Sequence, residues 1–209
     1  NENYLEYLHS RLTQWCKEKV QINYARDCNS FIKNLFASYT LGDQLDKETK
    51  SEMIAQLREY SSNLGRRRRK YLALVRKLEI GQHIPEARFL TLAKQAYKSC
   101  IGDVFSGKRH CTEMQFYLLA GQYYNQNYIA TAQERVNKVI HLARAKPYQR
   151  ELDTLWTAFK RGERLSDQQF KKLQAFLLDL CLIETVQVGP SDRDYCEQLM
   201  RRVDRHYAS

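Results

Sequence analysis

The sequence predicts an all-α protein, a helical bundle of about nine or ten helices. Gly and Pro together make only 11 of the 209 residues, so few positions interrupt a regular element. Leu occurs 25 times against 17 for Ile and Val together, and an excess of Leu with Glu, Lys, Arg and Gln favours helix over strand.

Apolar side chains at three- and four-residue spacing mark the helices of the first half of the chain. This spacing predicts helices over residues 2–24, 30–39, 49–64, 65–80 and 85–99. Thr49 with Glu52 three positions later is a capping-box pattern, which places the start of the third helix at Thr49. A seven-residue rhythm of apolar residues runs through the third and fourth helices, so one continuous rod is an alternative to two separate helices.

A polar loop over residues 100–111 divides the chain near its middle. It separates a predicted N-terminal helical subdomain, residues 1–99, from a predicted C-terminal helical subdomain, residues 112–209. In the second half the helices are predicted over residues 112–124, 129–145, 147–161, 166–181 and from 191 onward. The first two of these form a helical hairpin, and Thr112 with Gln115 and Ser166 with Gln169 are further capping-box patterns.

One short segment favours a strand over a helix. Residues 183–188 alternate in character and carry β-branched side chains at four of six positions. We therefore expect at most one short strand, near residues 183–188.

The cysteines are scattered along the chain without a CxxC pair, unlike those of a dense secreted disulfide scaffold. They are Cys16, Cys28, Cys100, Cys111, Cys181 and Cys196. This distribution predicts free thiols in a reducing compartment, and hence a cytoplasmic or nuclear location. Within apolar helical stretches, Cys16 and Cys181 are expected to pack as small hydrophobes.

The chain begins with Asn1, and Glu2 and Glu6 lie where a signal peptide needs positive charge followed by an apolar run. No apolar run reaches the roughly 18 residues that a membrane span requires. We therefore expect a soluble protein or fragment with no membrane partner.

Basic charge is concentrated in one part of the sequence. Of the formal net charge of +10, the window from Arg58 to Lys98 contributes +8, with eleven basic and three acidic residues. On a helix of 3.6 residues per turn, most of the basic residues between Arg66 and Lys77 share one face, with Tyr71, Leu74 and Leu78 opposite. A local excess of this kind is typical of a binding footprint for an anionic partner.

Nucleic acid is the first candidate partner. Four consecutive arginines oppose the dipole at the start of a helix, and phosphate groups would answer their charge through bidentate hydrogen bonds. We predict contact with the phosphate backbone of DNA or RNA, without base-specific readout. The predicted contact residues are Arg66, Arg67, Arg68, Arg69, Lys70, Arg76, Lys77, Lys94 and Lys98, with Lys108 and Arg109 as auxiliary contacts.

Other interpretations of the basic residues stay open. A charge run is often a solvated helix face, and five consecutive basic residues also occur in nuclear localisation signals. An acidic protein partner would satisfy the same electrostatics. The second functional hypothesis is therefore a protein-interaction adaptor, part of a larger assembly, that uses tyrosines of the central hairpin as its contact surface. These tyrosines are Tyr117, Tyr123, Tyr124 and Tyr128.

No arrangement of residues predicts catalysis, a cofactor or a metal ion. The stretch from Gly102 to Lys108 fits part of a phosphate-binding loop, but Arg109 follows where Ser or Thr is needed, and no strand precedes it. Cys100, His110 and Cys111 do not match the usual spacing of zinc ligands. We expect a non-enzymatic protein.

Overall fold

The computed structural model describes residues 28–62, 68–101 and 109–184, and in these ranges the chain is helical without a strand. The α-helices are α1 (Asn29–Leu41), α2 (Lys47–Ser62), α3 (Arg68–Glu79), α4 (Glu86–Ile101), α5 (Arg109–Tyr123), α6 (Tyr128–Val136), α7 (Gln149–Lys160) and α8 (Asp167–Glu184). A 3-10 helix, Ile140–Ala145, lies between α6 and α7. The all-α prediction is confirmed. The helices predicted over residues 2–24 and from residue 191 lie outside the described ranges.

Helix α5 is the centre of the bundle. It packs against α1, α4, α6 and α8, and residues on nearly every side of it are buried. Past its first turn, a helix buried on most of its sides needs such surroundings, because little of its surface is left for water. The core therefore includes residues from both sides of the predicted 100–111 loop. The division into two subdomains stays a prediction.

Helices α2 and α3 pack against each other, so the single continuous rod is wrong. The side chain of Arg58 on α2 forms an ion pair with Glu79 at the end of α3. In one straight helix their sequence separation of 21 would place them about 32 Å apart at 1.5 Å per residue, which no ion pair can bridge. The seven-residue rhythm therefore reflects two apolar faces that meet each other, and the intervening residues 63–67 lie outside the described ranges.

The capping boxes predicted from the sequence have different outcomes. At the start of α8 the Ser166 hydroxyl accepts a hydrogen bond from the Gln169 amide, and the Gln169 side chain accepts one from the Ser166 amide, which confirms that box. At α2 the prediction is wrong, because the helix begins two residues earlier. There the Asp46 carboxylate accepts hydrogen bonds from the backbone amide and the hydroxyl of Thr49.

Two glycines end helices in the left-handed conformation. Gly162 has φ 77° after α7, and its amide and that of Glu163 donate to carbonyl groups of the last helical turn. This confirms the predicted end of that helix at Gly162. Gly81, with φ 69°, ends α3 in the same way and turns the chain toward α4.

The elements beside the central loop and at residue 183 differ from the prediction. Helix α4 extends to Ile101 and α5 begins at Arg109, so part of the predicted loop is helical. The capping box predicted at Thr112 is therefore wrong, because Thr112 lies inside α5. Ile183 and Glu184, the first residues of the predicted strand, lie in the last turn of α8. The rest of that segment is outside the described ranges.

Two disulfide bonds join distant parts of the described chain. Cys28 is bonded to Cys100 across 72 residues, which links the start of α1 to the end of α4. Cys111 is bonded to Cys181 across 70 residues, which links the start of α5 to α8. The prediction of free thiols is wrong for these four cysteines, because the fold brings together residues that are far apart in sequence. Cys181 is fully buried, as expected, but as half of a disulfide.

Candidate nucleic-acid interface

Helix α3 has one basic side and one apolar side, as its sequence predicts. Arg68, Arg69, Lys70 and Arg76 are exposed and Lys77 is partly exposed. On the opposite side Tyr71, Leu74, Val75 and Leu78 are buried in the core. Burial of the apolar side fixes the rotation of the helix, so the cations are held toward solvent.

Helix α4 adds a further cation to the same surface. The Lys70 ammonium donates a hydrogen bond to the Gln95 side-chain oxygen, 2.6 Å away, and the hydroxyls of Tyr71 and Ser99 lie 3.2 Å apart. These contacts place the end of α4 beside the start of α3. Lys98 is exposed three residues after Gln95 and four after Lys94, so it lies on α4 between the sides that these two residues occupy. We use the name basic face for Arg68, Arg69, Lys70, Arg76 and Lys77 of α3 together with Lys98 of α4.

The positive charge of the basic face is not neutralised by described acidic residues. Ion pairs between described residues involve none of its six cations. Glu79, the one acid in the sequence of α3, pairs instead with Arg58 of α2. Lys70 donates a hydrogen bond to the Gln95 side chain, a neutral partner that brings no opposite charge to the face. The face therefore presents several positive charges close together.

Lys94 and Arg109, also predicted as contacts, lie at a different place. Both approach the Glu113 carboxylate on α5, with nitrogen–oxygen distances of 3.8 Å for Lys94 and 3.3 Å for Arg109. Arg135 of α6 approaches the same carboxylate at 3.1 Å. The Lys94 ammonium also lies 5.4 Å from the centre of the Tyr117 ring. These side chains belong to a local charge network around Glu113 and are not part of the basic face. Arg66, Arg67 and Lys108 lie outside the described ranges.

Arg88 is a basic residue that the sequence-based site did not include. It is exposed on α4, seven residues before Gln95, and a seven-residue separation returns to nearly the same side of a helix. It carries no ion pair to a described acid. The seven-residue spacing of Arg88 from Gln95 is visible in the sequence. It places Arg88 near α3 only because Gln95 contacts α3, and the sequence does not show that contact.

The predicted interface tyrosines, which we call the tyrosine cluster, are partly buried and pack against the core. They are Tyr117, Tyr123, Tyr124 and Tyr128. The Tyr124 ring stacks on Phe36 at a centroid distance of 5.2 Å and on Tyr128 at 5.8 Å. The Tyr117 ring meets Phe116 edge-on at 5.5 Å. Much of the ring surface of the tyrosine cluster is therefore in contact with other side chains of the protein.

The hydroxyl groups of the tyrosine cluster also have partners within the protein. Tyr123 donates to Asp167 at 2.9 Å, and Tyr128 donates to Glu86 at 3.0 Å. Burial, followed by the hydrogen bond to Glu86, raises the pKa of Tyr128 to about 12. Burial and the contact with Asp167 hold the pKa of Tyr123 well above its usual range. These hydroxyls are kept protonated at neutral pH and directed toward carboxylates of the same chain.

Over the described residues, the fold and the site define a disulfide-linked helical bundle with a strongly basic surface. Comparisons with protein-family models, with curated proteins and with solved structures give no match for this chain. None of the helices in the described ranges combines the length and the apolar character that crossing a membrane requires.

Proposed function

We propose that the protein is a non-enzymatic nucleic-acid-binding subunit that holds the phosphate backbone of DNA or RNA on its basic face. The observation that carries the proposal is the set of six cations on adjacent helices without a described acidic partner. Unpaired surface cations attract a polyanion, and each phosphate that they neutralise releases a counterion. Arginine, which supplies three of the six, binds phosphate oxygens through two parallel hydrogen bonds.

The dimensions of the basic face suit a phosphate backbone. Arg69 and Arg76 are separated by two helical turns, about 10 Å along the axis of α3. Over about 10 Å of its axis a nucleic-acid duplex carries about six phosphate charges. About three of these charges lie on each strand, and we expect the six cations on the two helices to contact four or five phosphates.

The position of the cations in α3 supports the same proposal. Arg68, Arg69 and Lys70 occupy its first turn, which contains no acid. Cations at that end oppose the helix dipole, at a cost of about 0.3–1 kcal/mol each at exposed sites. A bound phosphate would neutralise the side-chain charges and would also interact favourably with the helix dipole.

The two disulfides bear on where such binding would take place. Scattered cysteines predicted a cytoplasmic or nuclear location, whereas disulfide bonds form and persist mainly in oxidising compartments. The pairs Cys28–Cys100 and Cys111–Cys181 therefore favour an oxidising compartment as the setting of this function.

Binding of the basic face to an acidic protein partner is the main alternative. It uses the same charges, so electrostatics alone does not separate the two hypotheses. An adaptor that docks through the tyrosine cluster has less support, because its rings and hydroxyls already have partners within the chain.

The test is a binding assay with duplex DNA, single-stranded RNA and heparin as separate probes, at several salt concentrations. With four to five phosphate contacts, the logarithm of affinity should fall with the logarithm of salt concentration at a slope of about −4, or about 250-fold between 50 and 200 mM. Replacement of Arg68, Arg69, Arg76 and Lys98 together by Glu should lower affinity at least about 100-fold and flatten that slope.

A matched control variant separates the basic face from net charge. Lys138, Arg150, Arg161 and Lys171 are exposed and lie outside α3 and α4. Each Lys or Arg to Glu change removes two charge units, so either set of four lowers the formal net charge from +10 to +2. The control should retain most of the affinity. Equal losses in both variants, or binding of heparin without binding of either nucleic acid, would overturn the proposal.

A further inference from the structure

Three residues with metal-binding side chains meet where α5 begins and α8 ends. His110 and Cys111 are neighbours in the first turn of α5, and Cys181 approaches from α8. One ligand atom from each residue lies within 4.8 Å of the other two. Both sulfur atoms are buried and joined in a disulfide, whereas His110 is partly exposed. A metal ion could therefore approach from the His110 side.

The distances suit a tetrahedral zinc ion once the disulfide is reduced. Zinc binds Cys sulfur at about 2.3 Å and His nitrogen at about 2.0 Å, so tetrahedral geometry separates the ligand atoms by about 3.5–3.8 Å. The observed separations are all within 4.8 Å, so the histidine already lies near the required position. The two sulfurs must move apart by less than 2 Å, roughly what a small rotation of each side chain supplies.

Charge balance also favours zinc at this buried position. Two thiolates neutralise the two positive charges of the ion, and a neutral complex is far less costly to bury than a net charge. Cys111 lies in the first turn of α5, where the helix dipole stabilises a negative charge on its sulfur. The histidine enters as the neutral imidazole and adds no charge.

We propose that the reduced protein binds one zinc ion through the sulfurs of Cys111 and Cys181 and an imidazole nitrogen of His110, with water as the fourth ligand. A dithiol reductant supplies the two electrons: the sulfur–sulfur bond breaks, two thiols form, and the reductant becomes a disulfide. The two thiols then release two protons as the zinc–sulfur bonds form. Zinc thereby replaces the disulfide as the link between α5 and α8.

The other described disulfide has no comparable arrangement. In the described ranges the cluster of His110, Cys111 and Cys181 is the one group of at least three residues that could share an ion. Cys28 and Cys100 are not part of it. The proposal is therefore specific to the α5–α8 link and independent of nucleic-acid binding.

The test uses the full chain with Cys16, Cys28, Cys100 and Cys196 changed to Ser, so that the Cys111–Cys181 pair alone remains. The protein is reduced with a phosphine, desalted without oxygen and titrated with Zn²⁺, and with Co²⁺ as a coloured substitute. We expect one ion per chain, with the visible absorption of tetrahedral thiolate-bound Co²⁺. The oxidised protein should bind none.

Two further variants of that chain identify the ligands. The first variant carries both Cys111→Ser and Cys181→Ser, and it should lose zinc binding and the thiolate–cobalt absorption. Added His110→Ala should weaken binding at least about 100-fold, because even residues that only orient a ligand cost 10–100-fold. Circular dichroism follows folding in each case. A reduced chain that binds no zinc, folded or unfolded, contradicts the proposal, as does full-strength binding after His110→Ala.

Discussion

The basic face and the tyrosine cluster both consist of polar residues on the outside of helices, but the fold treats them differently. None of the six cations of the basic face forms an ion pair with a described acidic residue, and Lys70 donates a hydrogen bond to the neutral side chain of Gln95. In the tyrosine cluster the rings stack on core aromatics, and the Tyr123 and Tyr128 hydroxyls donate to carboxylates. The cations of the basic face have no described acidic partner, whereas most rings and hydroxyls of the tyrosine cluster contact other residues of the protein.

This difference separates residues that stabilise the fold from residues available to a partner. An aromatic ring that packs on the core stabilises the folded state through buried area and ring contacts. Unpaired surface cations contribute little to stability and repel each other. We therefore expect substitutions in the two regions to have opposite consequences: loss of stability for the tyrosine cluster and loss of binding for the basic face.

The largest expected effect comes from the aromatic core beneath the tyrosine cluster. Phe36 is fully buried, and its ring contacts those of Phe89, Phe116 and Tyr124. Phe36→Ala should lower the free energy of unfolding by about 3–5 kcal/mol, measured by urea denaturation. Ile80→Ala, at a residue that is 68% exposed, is the control and should cost less than about 0.5 kcal/mol. A cost below about 1 kcal/mol for Phe36→Ala would show that these rings do not form a tight core.

A smaller effect is expected from the Tyr128 hydroxyl. Tyr128→Phe removes the hydrogen bond to Glu86 and should lower the free energy of unfolding by about 0.5–1 kcal/mol at neutral pH. In the unfolded chain tyrosine loses its proton near pH 10, whereas the raised pKa of Tyr128 in the fold is about 12. Between these values the folded state holds more protons, so the stability of the unchanged protein falls as pH rises.

The pH dependence gives this prediction its own control. Urea denaturation at a series of pH values from 9 to 12 should show a shallower loss of stability for Tyr128→Phe than for the unchanged protein. Lysine titration affects both proteins equally and cancels in the comparison. Parallel curves would mean that the Tyr128 hydroxyl is not held by Glu86 in solution.

Features governed by nearby residues could be predicted from the sequence. The amphipathic character of α3 follows from spacing alone, and the structure confirms the buried side with Tyr71 and Leu78. The capping box of Ser166 and Gln169 is equally local. At α2, however, Asp46 and Thr49 are both good capping residues, and the motif at Thr49 did not reveal that Asp46 takes the role.

Features that depend on distant residues could not be predicted. The same seven-residue rhythm suits one long helix or two packed helices, and the contact between Arg58 and Glu79 decides the matter. Lys94 and Lys98 are helical neighbours four residues apart, but of these two only Lys94 forms an ion pair with Glu113 of α5. The disulfide pairing and the approach of Cys181 to His110 likewise depend on how α8 packs against α5.

The smallest change in stability is expected from substitutions in the basic face. Arg69→Ala with Arg76→Ala should alter the free energy of unfolding by no more than about 0.5 kcal/mol, because neither side chain pairs with a described acid or packs in the core. Removal of mutual repulsion could even raise stability slightly at low salt. The same double variant should bind nucleic acid with a salt slope less steep by about 2, one unit for each lost phosphate contact. A loss of stability above about 1 kcal/mol would mean that these arginines serve the fold, and the distinction between the two regions would fail.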